Sequence, residues 1–166
     1  MILYRRGLPI IEQEELAKFF KIHVPLSAKK FFNTTLTTRK KSEDGIQTIE
    51  SEGRVNRFFK KYKFPLIAKA VRASEISDLE KFIEDNLRKS NDLWVEYKSD
   101  RIHGEHFIHD NVIESMERGK KEMLVTVVDP YGEYRTRNKL LLSVLQDAIN
   151  ENEFGRETGF LVVSKK

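Results

Sequence analysis

Among the side chains that could do chemistry, His109 and Asp129 are the two that a single local feature would bring together. The runs FIHDNVIES (107–115) and MLVTVVD (123–129) read as strands, and the segment Glu117-Arg118-Gly119-Lys120 between them is a turn signal, so an antiparallel hairpin is expected. With the turn centred near Gly119, His109 falls opposite Asp129. Strand alternation groups His109 with Phe107, Asn111 and Ile113, and Asp129 with Met123, Val125 and Val127. A carboxylate beside an imidazole fixes its tautomer and raises its basicity, which is the arrangement general-base work needs. His106 would meet the turn that begins at Pro130, and the stretch from Tyr131 to Arg135 fits either a surface patch beside His109 or an ordinary loop after a strand; His106, Asn111 and Tyr131 are the candidate binding residues around the pair. The same spacing also fits a plain closing turn, Asp129-Pro130-Tyr131-Gly132, after a strand with a half-buried histidine.

The nucleophile such a base would serve is not obvious. The 166 residues include no cysteine, which excludes disulfides, thiolate metal sites and a thiol nucleophile within this chain. His103, His106 and His109 recur every third residue, a spacing that would line one face of a helix. The strand-like text after Gly104 makes them a loop entering a strand, where that spacing alternates faces, and no metal is expected. There is no glycine-rich phosphate loop, and no cofactor is implied.

The elements that must position the pair follow from periodicity. Ile11, Leu16, Phe19 and Phe20 make a short amphipathic helix that ends before Val24-Pro25, because a residue preceding proline avoids the helical region. Residues 27–53 show no sustained period and read as a long irregular excursion. Val55, Phe58, Phe59 and Tyr62 lie on one helical face. Leu66 to Arg72 is a candidate strand, Ser74 a candidate N-cap for a helix over 75–89, and strands are expected at 93–97, 107–115, 123–129 and 159–165, with a helix over 138–150. Helices mostly precede strands, so the expected class is α+β, a single domain over 1–166 with an antiparallel sheet of about five strands in the C-terminal half and helices packed on one face.

Taken in order, Gly7-Leu8-Pro9-Ile10, Glu14-Glu15-Leu16-Ala17, Val24-Pro25, Phe58-Phe59-Lys60-Lys61, His109 through Ser115, Asp129-Pro130 and Gly159-Phe160 resemble the papain-like cysteine peptidases of the bacteriocin-processing type. The resemblance implies a papain-like fold, His109 as general base and Asp129 as its orienter, with thiolate attack as the family's mechanism. Two departures bear on it. The glycine that usually precedes the family's histidine is here Ile108, with Gly104 nearby, which leaves His106 as the other choice. The family's nucleophilic cysteine and oxyanion glutamine belong on and before an N-terminal helix that would run into YRRGLPI, and no Ser or Thr precedes Ser27 to substitute. The expectation is therefore a relative missing its catalytic helix, either part of a longer cysteine peptidase or inactive and binding a peptide or protein.

Charge adds a weaker alternative. Lys and Arg number 30 against 26 Asp and Glu, a net charge of +4 in a densely charged chain. Arg57, Lys60, Lys61 and Lys63 interleave with Phe58, Phe59, Tyr62 and Phe64, and the second reading is an interaction module that holds protein or nucleic acid through the basic loop around Arg39 to Lys41 and the Tyr131 to Arg137 segment. For the helical segment the economical account is aromatics buried and cations solvated. No run reaches the roughly 18 apolar residues of a membrane span, and a cytoplasmic protein with no membrane partner is expected.

Overall fold

The computed structural model describes residues 2–21, 24–25, 37–38, 48–98, 102, 108–129, 137–150 and 157–166. Two helices, α1 (Ile2–Arg5) and α2 (Gln13–Phe20), lead to a two-residue parallel bridge between β1 (Val24–Pro25) and β2 (Thr37–Thr38). A 3-10 turn, Ile49–Ser51, runs into α3 (Glu52–Lys61), followed by β3 (Leu66–Arg72), a second 3-10 turn at Ala73–Glu75 and α4 (Leu79–Arg88). The remainder is β4 (Asp92–Lys98), β5 (Ile108–Arg118), β6 (Met123–Val128), β7 (Arg137–Leu141), α5 (Leu142–Asn150) and β8 (Gly159–Lys165).

The class is α+β, and the sheet has six strands rather than about five, ordered β3-β8-β4-β5-β6-β7 with every adjacent pair antiparallel. The additional strand is β7. The sequence predicts that residues 138–141 begin a helix, but they pair with β6 in a ladder that runs from Leu124↔Leu141 to Val128↔Arg137, and the chain then turns into α5. The ladder hydrogen bonds offered by β6 outweigh the local helical preference of a run that has no Gly or Pro to mark the junction. The sheet also reaches back into the first half of the chain through β3.

Helices cover both faces, not one. On the first face α4 and α5 pack Leu79, Ile83, Leu142, Leu145, Ala148 and Ile149 onto Leu93, Val95, Ile113, Val125, Val127 and Phe160. On the second, α3 sets Val55, Phe58 and Phe59 against Leu66, Ala68, Leu161 and Val163, with Ile2, Leu3, Leu16, Phe19 and Phe20 from α1 and α2 completing the cluster. Each fully buried Phe or Val contributes about 1.5–3 kcal/mol, so the aromatic face of α3 accounts for its position.

Helix α4 starts later than Ser74 suggests. Its N-cap is Asp78, whose side chain accepts from the Lys81 N–H at 2.9 Å. The Ser74 hydroxyl is taken by the Glu157 carboxylate, and Glu75 accepts from the Arg72 N–H at 3.1 Å, which leaves a 3-10 turn in place of a helical one. Along the free edge of β3, Asn56 of α3 receives the Ala68 N–H and donates to the Ala68 carbonyl, both at 2.8 Å, and Glu52 accepts from the Ala70 N–H at 2.8 Å. That edge is closed to strand addition.

Candidate functional site

The β5–β6 hairpin forms, but not in the expected register. Gly119 N–H donates to the Glu122 carbonyl, so the chain reverses around Lys120-Lys121 and the ladder begins at Arg118↔Met123. An irregularity between Ile113 and Ser115 then returns part of the offset, giving Ile113↔Val127 and Val112↔Val128. Continued one step, the ladder sets Asn111, not His109, beside Asp129. His109, whose backbone alone is described, stands opposite Tyr97 of β4 and two positions along from Asn111. It is thus a diagonal neighbour of Asp129, a relation that spans about 7–8 Å between backbones. His106 and Tyr131 lie outside the described residues.

What the strands bring together is a buried polar corner of Tyr97, Asn111 and Asp129, which are 0, 1 and 1% exposed. The Asn111 amide donates to the Tyr97 hydroxyl, while Asn111 Oδ1 is buried with no hydrogen-bond partner among the described residues. Burial and then the Asp129 charge hold the Tyr97 hydroxyl well above the usual tyrosine range, whereas the Asn111 bond acts in the opposite sense. A phenol kept neutral is a hydrogen-bond donor for a nearby acceptor. Tyr97 escaped the sequence reading because its partnership with His109 comes from the β4–β5 ladder, which joins strands with no tight turn between them.

A second polar cluster lies on the opposite face of the same strand ends. Glu96, 1% exposed, is the cross-strand partner of Asp110. Thr48, fully buried, donates its N–H to Glu96 Oε2 and its hydroxyl to Asp110 Oδ1, and the Ser51 hydroxyl donates to the Thr48 carbonyl at 2.7 Å. Glu96 Oε1 has no hydrogen-bond partner among the described residues. Burial pushes the Glu96 carboxyl up to about 7; the Thr48 bonds pull it down, and Asp110 and Glu50 raise it further. The sequence carried one sign of this cluster, an acid within the otherwise apolar run LWVEY.

The remaining candidates resolve more simply. Arg57, Lys60, Lys61 and Lys63 are exposed while Phe58, Phe59 and Phe64 are buried, so the basic-aromatic stretch is an amphipathic helix and its exit. Arg137 forks onto Glu114 at 2.7 and 2.9 Å, and Arg39 to Lys41 lie outside the described residues. An open cleft of about 310 Å³ lined by Glu80, Arg118, Lys121, Glu122, Ser143 and Gln146 lies at the far end of β5, with mixed charges and no part in either polar cluster. Among the described residues no group of three or more His, Asp or Glu could hold a metal ion, and no helix is long and apolar enough to cross a membrane. Neither the protein-family models nor the curated proteins with which the sequence was compared give a match.

Proposed function

We propose that the chain is a papain-like domain, related to the bacteriocin-processing cysteine peptidases, that holds a peptide without cutting it. The observation that supports this most is the burial of Asp129, an ionisable group at a strand end, next to Asn111 and on the strand pair that also carries His109. Ionisable groups enclosed at the mouth of a sheet are found where binding or catalysis needs them. In this reading His109 and Asp129 correspond to the base and orienter of the family, and Asn111 and Tyr97 adjoin them as polar anchors. Asn111 Oδ1 is a buried acceptor with no hydrogen-bond partner among the described residues, which a backbone N–H of a ligand entering the sheet end would satisfy. With no cysteine in the sequence, the chain has no thiolate to attack an amide carbonyl.

The experiment is to titrate the isotopically labelled protein with a tryptic digest of casein, following backbone and Asn side-chain resonances by NMR and the peptides by mass spectrometry. The expected result is perturbation centred on Tyr97, Asn111 and Asp129, weakened in Asp129→Asn, with the peptides intact. Perturbation elsewhere, or none, refutes the binding site, and new peptide termini refute the non-cutting reading.

A further inference from the structure

Glu96 is a buried carboxyl between Val95 and Tyr97 of β4, and neither the hairpin nor the proposed peptide site uses it. It points to the face opposite Tyr97, together with its cross-strand partner Asp110. Thr48 sits across the two acids, with its N–H on one and its hydroxyl on the other, and its carbonyl held by Ser51. Thr48 is the residue through which the chain enters the Ile49–Ser51 turn and then α3, so its hold on the sheet fixes where that helix begins.

The charges around Glu96 are unfavourable to its ionised form. Asp110 faces it from β5 and Glu50 from the turn, and both raise its proton affinity; the next residue on its own side of β4 is Lys98. One carboxylate oxygen is bonded and the other is buried without a partner among the described residues. A neutral carboxylic acid tolerates this surrounding far better than an anion does.

We propose that Glu96, Asp110 and Thr48 form a proton-dependent clasp. When Glu96 carries its proton, β4 and β5 together hold Thr48 and the entry to α3 against the sheet. When Glu96 releases that proton to solvent, burial of the anion beside Asp110 and Glu50 outweighs the Thr48 bonds that favour it, and the clasp opens to water and frees Thr48. The clasp is independent of peptide binding, because it lies on the other face of the sheet from Asn111 and Asp129.

The test uses the full chain and two NMR readouts over roughly pH 5 to 9: the Glu96 side-chain carboxyl carbon, and the amide exchange protection of Thr48 and Ser51 corrected for intrinsic exchange. The Leu161 amide in the sheet centre serves as the reference. The expected result is that Glu96 titrates near neutrality and that Thr48 protection, lower than that of Leu161 throughout, falls about tenfold per pH unit as pH rises towards that midpoint and levels off above it. In Glu96→Gln, whose amide mimics the neutral acid, Thr48 protection should stay level. A Glu96 midpoint near the ordinary 4.5, or Thr48 protection that does not follow the Glu96 titration, overturns the clasp. The wild-type readouts decide this by themselves, so poor folding of the variant leaves the outcome intact.

Discussion

Arg6 ties the N-terminal helix to the centre of the sheet, and its removal is the most informative single perturbation of the fold. Its Nε donates to Asp92 Oδ2 at 2.5 Å, and its Nη2 donates to the carbonyls of Ser90 and Val163 at 2.9 and 3.0 Å. The side chains of the ion pair are 10 and 6% exposed, so neither charge is well solvated. Deleting one partner of a buried pair strands the other and costs about 3–5 kcal/mol. Here Arg5 remains with its Nη1 at 3.5 Å from Asp92 and is itself 36% exposed, so it screens part of the orphaned charge. Arg6→Met, which keeps the apolar stem, is therefore expected at the lower end, about 3 kcal/mol. Asp92→Asn removes the stranded charge, so the double variant should recover about 1–2 kcal/mol of that loss. Urea unfolding monitored by the single tryptophan, Trp94, which packs on the same core as α1, measures both. A loss below about 1 kcal/mol for Arg6→Met would make the pair no better than an exposed one, and a double variant no more stable than the single would refute the stranded-charge argument.

Stability should also depend on pH through Glu96. Its carboxyl in the folded chain lies at about 7, above the ordinary 4.5, so the folded state keeps a proton that the unfolded chain releases. The contribution is fully present below pH 4.5 and is lost as pH rises through 7, a total of about 3 kcal/mol. Urea unfolding of Glu96→Gln across this window should lack that decline, and a slope equal to wild type would disprove the assignment. At the sheet edge, Asn56→Ala exposes both backbone groups of Ala68 and should cost about 1–3 kcal/mol. The uncovered β3 should also self-associate, which sedimentation would detect; a variant as stable and as monomeric as wild type would show that the edge needs no cap.

Much of the local structure was legible in the sequence. Strands β3 and β8 occupy the residues that their alternation and flanking turns indicate, and the aromatic face of α3 is buried as its spacing requires. These features depend on neighbours along the chain. The helix boundaries near Ser74 and Asn138 did not, since Glu157 draws away the Ser74 hydroxyl and β6 captures residues 137–141 as a strand. The hairpin was visible, but its register was set by a reversal around Lys120-Lys121 and a bulge after Ile113, neither marked by a distinctive residue.

By itself the sequence determined the absence of a thiol, the α+β composition of the chain, and the presence of His109 and Asp129 on adjoining strands. The tertiary structure alone decided that β8 lies between β3 and β4, that helices cover both faces, and that Asn111 and Tyr97 accompany Asp129 while Glu96, Asp110 and Thr48 gather behind them. The physical reason is range. Periodicity and capping act over one or two turns of chain, whereas strand order and buried polar contacts join residues separated by tens of positions, and their energies appear only once the sheet has assembled.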